Sequence, residues 1–210
     1  MSEITLYNYE LDESAYKIRL LASFLGLEIK LRGVDMFPGG EHATPEFLAL
    51  SPNGNLPVII DGEMVLSGAE VCLAYLANAY HPGRDWYPLE ARTFGEIHKW
   101  MDFATVNLQT AIIARRHALF DVPTDRDAAN LAARQAFRIM DDHMIRRGFD
   151  GKTWFAGEAA SIADIALFPS FALSRDFGID HDEYPALRKW SRRFRALPGF
   201  RSMPGIPDYH

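Results

Sequence analysis

The chain has 210 residues, 48% hydrophobic and 24% charged, an ordinary globular balance with room for one large domain or two small ones. Its formal net charge of -6 excludes a generally basic surface, and with it non-specific binding to nucleic acid or to an anionic membrane. One cysteine, Cys72, excludes an internal disulfide, a C-x-x-C redox pair and a thiolate metal cluster.

Ile4-Thr5-Leu6-Tyr7 predicts a first short strand. The Met1-Ser2-Glu3-Ile4 start carries no basic segment followed by an apolar one, so no signal peptide is expected. No apolar run approaches the ~20 residues that cross a bilayer, and a cytoplasmic protein is expected. Asp12-Glu13-Ser14 is a cluster of cap-type residues ahead of Ile18, Leu21, Ala22 and Leu25 at helical spacing, and Gly26 stops that helix. Glu28-Ile29-Lys30-Leu31-Arg32 alternates with period two and predicts a second strand. Strand, helix and strand within some thirty residues make a βαβ unit with parallel strands.

After a Gly/Pro-rich loop at Phe37–His42, Pro45–Leu50 predicts a short helix. Asp61-Gly62 between two apolar runs is a hairpin signal. Ser67-Gly68-Ala69-Glu70 has the S-x-x-E form of a capping box, ahead of a helix with Val71, Ala74, Tyr75 and Ala77. Cys72 lies inside that apolar helix as a packing residue. His81-Pro82-Gly83-Arg84 reads as a linker. From Leu89 onward strand signals vanish. Ile97, Met101, Ala104, Leu108 and Ile112 form one helical stripe, and Ala129, Ala133, Phe137, Met140 and Met144 another. Ser161-Ile162-Ala163-Asp164 resembles a capping box, and Pro185 to Leu197 gives a last helix ended by Pro198-Gly199. The seven histidines are scattered without ligand spacing, so no metal site is expected.

The stretch Ser51-Pro52-Asn53-Gly54-Asn55-Leu56-Pro57-Val58-Ile59 joins turn chemistry to a strand that opens on proline. Proline has no N–H and is tolerated at the first residue of a strand rather than inside one. The Leu56 main chain is then left to pair with something else, such as a peptide-like ligand, and a cis bond at Leu56-Pro57 is the expected companion of a tight turn. The other reading is an ordinary loop-to-strand junction.

The order β-α-β-α-β-β-α, the Leu56-Pro57 pair and the helical second half together resemble the cytosolic glutathione S-transferase family over nearly the whole chain. Leu6-Tyr7 followed by Tyr16-Lys17-Ile18-Arg19, Pro45-Glu46-Phe47-Leu48, Tyr75-Leu76 and Ser161-Ile162-Ala163-Asp164 carry the resemblance. It implies an α/β thioredoxin-like N-terminal domain over residues 1–80 and an all-α C-terminal domain over 89–210. It further implies glutathione as co-substrate, a small-molecule electrophile held against the second domain in a cleft between the two, and a homodimer. The residue before the proline, Leu56, would exchange main-chain hydrogen bonds with the cysteinyl unit of glutathione.

The resemblance assigns roles residue by residue. Gly68 and Ala69 stand where family members carry an acidic residue and Ser or Thr that hold the γ-glutamyl end. The helix start still offers N–H groups to its carboxylate. The ammonium loses its acidic partner, and a lost charge-assisted hydrogen bond costs ~1.5–3 kcal/mol, roughly tenfold to a hundredfold in affinity. Glu70 is one residue late: it either substitutes there or closes the capping box with Ser67. Thiol activation requires a hydroxyl or a helix N-terminus, because the thiolate is the nucleophile. The usual serine position aligns with Asp12 and the next with Glu13, whose carboxylates would repel a thiolate. Ser14 is the nearest hydroxyl, with helix capping as its alternative. Tyr7 and Tyr9 flank Asn8, which fits the tyrosine register of other classes better than either. His42 and Asn55 are expected near the glycyl carboxylate, or else as loop and turn residues. Arg115 and Arg116 are candidates for binding an acidic electrophile or for compensating a helix end. Trp100, Phe103 and Asn107 share a face that either lines the second-substrate pocket or belongs to the core. The functional reading is a glutathione transferase that conjugates, isomerises or dehalogenates a small electrophile. The alternative is a non-catalytic binding protein on the same fold.

Overall fold

The computed structural model describes residues 3–206, so Met1 and Ser2, on which the expectation of no signal peptide partly rests, lie outside the described residues. The described residues divide into two units: residues 3–83 with Pro198–Pro204, and Arg84–Leu197 with Gly205 and Ile206.

In the first unit the alternating and helical patterns become β1 (Ile4–Asn8), α1 (Glu13–Leu25), β2 (Ile29–Gly33), α2 (Pro45–Leu48), β3 (Val58–Asp61), β4 (Met64–Ser67) and α3 (Ala69–Tyr80). The sheet order is β2-β1-β3-β4, with β1 parallel to β2 and antiparallel to β3. The β1–β3 ladder runs from Ile4 opposite Asp61 to Tyr7 opposite Val58. Leu6, Ile18, Leu21, Ile59, Leu73 and Leu76 are at most 1% exposed and form its centre. A second cluster gathers Tyr7, Ala15, Val34, Met36, Phe47, Leu56 and Val58.

Local chemistry ends these elements as the sequence predicts, with one change of actor. α1 is capped by Asp12, whose Oδ1 accepts the Ala15 N–H at 2.7 Å, and not by Ser14. Gly26 closes it in the left-handed conformation at φ 66°. α3 is tied to the β3–β4 hairpin by Tyr75, whose hydroxyl donates to Asp61 Oδ2 at 2.7 Å, and by the Tyr80 hydroxyl on the same oxygen. The segment after the last helix returns to α1: Ser23 Oγ donates to the Gly199 carbonyl at 2.7 Å, and the Tyr16 hydroxyl donates to that of Arg201.

The second unit is helical: α4 (Ala91–Val106), α5 (Gln109–Phe120), α6 (Arg126–Phe149), α7 (Ile162–Ala172) and α8 (Pro185–Arg195). The first apolar stripe is buried at all five positions, but it belongs to two helices, which part at Asn107 and Leu108. Arg115 is not at a helix end. It is 2% exposed inside α5, and its Nε donates to Asp176 Oδ2 at 2.8 Å. Trp100 is core, packed on His143 and Phe155 at ring separations of 4.5 and 4.8 Å.

Ser161 and Asp164 form the capping box of α7. Asp164 is wholly buried and accepts from the Ser161 N–H at 2.9 Å, the Phe155 N–H at 3.2 Å and Trp190 Nε1 at 2.9 Å. Burial pushes its carboxyl up to about 6 against these donors. Burial also pushes His143 and His181 down to about 4.

Between about 4 and 6.5 the unfolded chain protonates both rings while the folded one keeps them neutral. Stability therefore rises with pH through that window and is lost as pH falls. Asp164 opposes this, taking its proton in the folded state first. With two histidines against one carboxyl, urea unfolding is expected to give a lower free energy at about pH 5 than at about pH 7. Equal values would show that the buried rings do not hold their protons off.

Candidate functional site

The site is built from the turn that precedes β3. The Gly54 N–H donates to the Ser51 carbonyl at 2.8 Å, closing the Ser51-Pro52-Asn53-Gly54 turn, and Gly54 takes φ 63°. A Cβ at Gly54 would lie 3.0 Å from the His42 carbonyl oxygen, so glycine is what lets the turn pack on that loop. Ser51 then does something the sequence did not advertise. Its hydroxyl donates to the Asn55 carbonyl at 2.9 Å and accepts the Asn55 N–H at 3.2 Å. The Asn55 main chain is occupied by this clamp, and its side chain is exposed.

Leu56 follows, 3% exposed and joined to Pro57 by a cis bond. Because the ladder stops at Val58, Leu56 lies beyond it. Neither its N–H nor its C=O has a hydrogen-bond partner among the described residues. The Pro57 carbonyl accepts the Gly68 N–H at 3.1 Å, which fastens the start of α3 to this edge. Gly68 is the N-cap of α3 at φ 100°, and no side chain caps the helix there. The expected Ser67–Glu70 capping box is therefore not formed. Ser67 ends β4 opposite Val58, and the Glu70 carboxylate accepts instead from Lys17 Nζ at 2.8 Å. Lys17 is 2% exposed, so the pair joins α1 to α3 in a largely buried place. At φ 100° a side chain in place of Gly68 is strained, which is a local reason for the missing acidic residue.

α1 reaches the same edge, since Ala15 and Leu56 share one cluster. Ser14 is half-buried at the second position of α1. With Asp12 serving as the cap, the Ser14 hydroxyl and main-chain N–H have no partner among the described residues. Ala69, the first residue of α3, is buried. His42 is half-buried against Phe37 at 5.7 Å, and its Nδ1 is sealed from solvent with no hydrogen-bond partner among the described residues. Pro57 and Gly68 are thus fastened together, with Leu56 and Ala15 of α1 in one cluster and His42 against the turn. Cys72 is no nucleophile: burial, with the Glu70 charge adding to it, pushes its thiol up to about 12. No group of residues that could hold a metal ion occurs among the described residues, and no described helix is long and apolar enough to cross a membrane.

A thioredoxin-like mixed four-strand sheet with its helices, followed by an all-helical domain, is the class this architecture defines. Residues 2–78 match the family model "Glutathione S-transferase, N-terminal domain", and residues 121–198 match "Glutathione S-transferase, C-terminal domain". Glutathione S-transferase GstB of Escherichia coli K12 is 30% identical over 173 residues, 77% of this chain and 79% of that protein. The crystal structure of a glutathione S-transferase from Pseudomonas fluorescens is similar with a TM-score of 0.86 at 27% identity, covering 97% of this chain and 100% of that one. A glutathione transferase homolog from Lodderomyces elongisporus, solved with two GSH per subunit, shares the fold with a TM-score of 0.84 at 24% identity over 95% and 96% of the two chains. The chain belongs to the glutathione S-transferase family.

Ser51 was missed because its signal is tertiary in kind. A serine before Pro-Asn-Gly reads as a turn residue, and nothing in the spacing says that its hydroxyl bridges both main-chain groups of Asn55. Ser51→Ala removes the side chain that pairs with the Asn55 main chain, at a turn whose Pro52, Asn53 and Asn55 are exposed. It is expected to lower the unfolding free energy by about 0.5–1.5 kcal/mol in chemical denaturation. A variant as stable as the parent would show that the clamp is replaced by solvent.

Proposed function

We propose that this protein binds glutathione on its first unit and acts as a glutathione transferase on a small electrophile. The observation that carries the reading is the buried Leu56 main chain, whose donor and acceptor are both left over beside the uncapped start of α3. An extended peptide can pair with such an edge as an added strand, main chain to main chain. The cysteinyl unit then lies on Leu56 ahead of Pro57. The γ-glutamyl carboxylate meets the Ala69 N–H beside Gly68, at the positive end of α3, the Gly68 N–H itself being held by the Pro57 carbonyl. His42 and Asn55 take the glycyl carboxylate end. The thiol falls at the start of α1, where Ser14 donates to the thiolate and the helix dipole favours the negative charge. The proton goes to solvent, the sulfur forms its bond to the electrophilic carbon, and holding both reactants in one geometry supplies much of the acceleration. By the same family reading the protein works in the cytoplasm as a homodimer.

A non-catalytic binding role is the second reading. It is favoured by Gly68-Ala69, which carry no polar side chain, and by Glu70, which already neutralises Lys17. The ligand's ammonium has no dedicated carboxylate there, so binding is weaker by roughly tenfold to a hundredfold than with a full acidic partner.

Calorimetric titration with glutathione decides the binding step. Saturable heat at about one ligand per chain is expected, and no heat at millimolar ligand together with no thermal protection would end the reading. Steady-state assays with a panel of electrophiles then separate the two roles. Ser14→Ala is expected to slow turnover by about tenfold while leaving glutathione affinity nearly intact, as loss of one charge-assisted donor implies. An unchanged pH–rate profile in that variant would remove Ser14 from the chemistry.

A further inference from the structure

A cavity of about 510 Å³ opens within the helical unit, where the end of α5 meets the start of α6 and the short turn Ser174–Phe177. Its size is that of a small-molecule site, which is roughly 300–1,000 Å³. None of its lining residues belongs to the glutathione site proposed on the first unit. Two of them are engaged with partners inside the protein. Asp176 accepts from Arg115 Nε at 2.8 Å, and Arg175 Nη2 lies 3.6 Å from Asp180 Oδ1.

The remaining polar lining falls into two pairs, each one helical turn apart. His117 and Asp121 stand at the end of α5, and Arg126 and Asn130 at the start of α6. His117 Nδ1 lies 3.0 Å from the Val122 carbonyl. A carbonyl only accepts, so this nitrogen carries the proton and Nε2 of the neutral ring is an acceptor. Asp121 and Arg126 are both exposed, and their charged groups pair neither with each other nor with any other described residue. The Asn130 amide has Oδ1 sealed from solvent, whereas Nδ2 is not sealed and makes no hydrogen bond among the described residues. The end of α5 therefore offers acceptors, and the start of α6 offers donors.

The cavity keeps one unspent charge of each sign. A simple anion that meets Arg126 is opposed by Asp121, and a simple cation that meets Asp121 is opposed by Arg126. A molecule that carries both signs satisfies both groups. We infer that this cavity binds a small zwitterion of the amino-acid class. Its ammonium is taken by Asp121 and His117 Nε2, and its carboxylate by Arg126 and Asn130 Nδ2. Most of these contacts are charge-assisted hydrogen bonds, which are stronger than neutral ones. No covalent step is involved, and binding here does not depend on glutathione binding on the first unit.

The test is calorimetric titration of the whole chain with glycine, γ-aminobutyrate and ε-aminocaproate, whose charges stand progressively further apart. Butyrate and butylammonium are the singly charged controls. At least one zwitterion is expected to saturate at about one per chain at millimolar concentration, with both controls at least about tenfold weaker, as loss of one charge-assisted contact implies. Arg126→Gln and Asp121→Asn alter exposed residues, and asparagine tolerates the left-handed backbone of Asp121 at φ 53°. Each substitution is expected to weaken the zwitterion by about tenfold. No heat with any of the three zwitterions overturns the assignment. Butyrate binding as tightly as every zwitterion overturns it too, and so does saturable heat that survives both substitutions unchanged.

Discussion

A main-chain edge that the sheet does not consume is the constraint on which the rest of this site depends. Pro57 has no N–H to give, so the β1–β3 ladder closes at Tyr7 and Val58 and goes no further. The residue before it keeps its donor and acceptor although it is buried. Such groups are normally paired within a fold. Here the surroundings hold them in place rather than satisfy them. Ser51 fixes the preceding residue from one side, and the Gly68–Pro57 hydrogen bond fixes the following one from the other. The edge is therefore preorganised, and a ligand that pairs with it need not first order it.

Charge around this edge is arranged differently from what the family resemblance implies. Gly68 begins α3 with a backbone angle that disfavours a side chain, and the one acidic residue of the first turn reaches across to a lysine buried on α1. An ion pair of this kind is poor evidence for stability, because desolvation offsets its attraction. It does give a buried lysine a partner, and it ties the start of α3 to α1. The same carboxylate cannot serve Lys17 and a ligand ammonium equally. No side chain caps the start of α3, and a helix N-terminus of that kind favours a carboxylate by geometry and dipole.

The second unit solves a different problem. A wholly buried carboxylate at Asp164 receives donors from a helix start, a loop and the indole of Trp190, and so joins three segments through one side chain. Arg115 does similar work by pairing with Asp176 inside the helical unit. Both belong to the architecture of the helical unit.

Most of the fold was legible in local pattern. Period-two and period-3.6 alternation located β1, α1, β2, the β3–β4 hairpin and α3, and Ser161–Asp164 marked the start of α7. The apolar stripe from Ile97 to Ile112 hid the break between α4 and α5, because a core face continues across a helix junction as long as the buried side chains keep facing inward. The candidate site was half legible. Proline and glycine act on their own backbone, so Leu56-Pro57 and Pro52-Asn53-Gly54 announce an edge and a turn from sequence alone. Which polar side chain meets which partner depends on elements distant along the chain. Lys17 with Glu70, Ser51 with Asn55 once the turn has closed and Asp12 in preference to Ser14 as a cap were all decided by tertiary packing. Backbone restrictions are local and survive in one dimension, whereas hydrogen-bond partnership is a competition settled only when every donor and acceptor has its place in three.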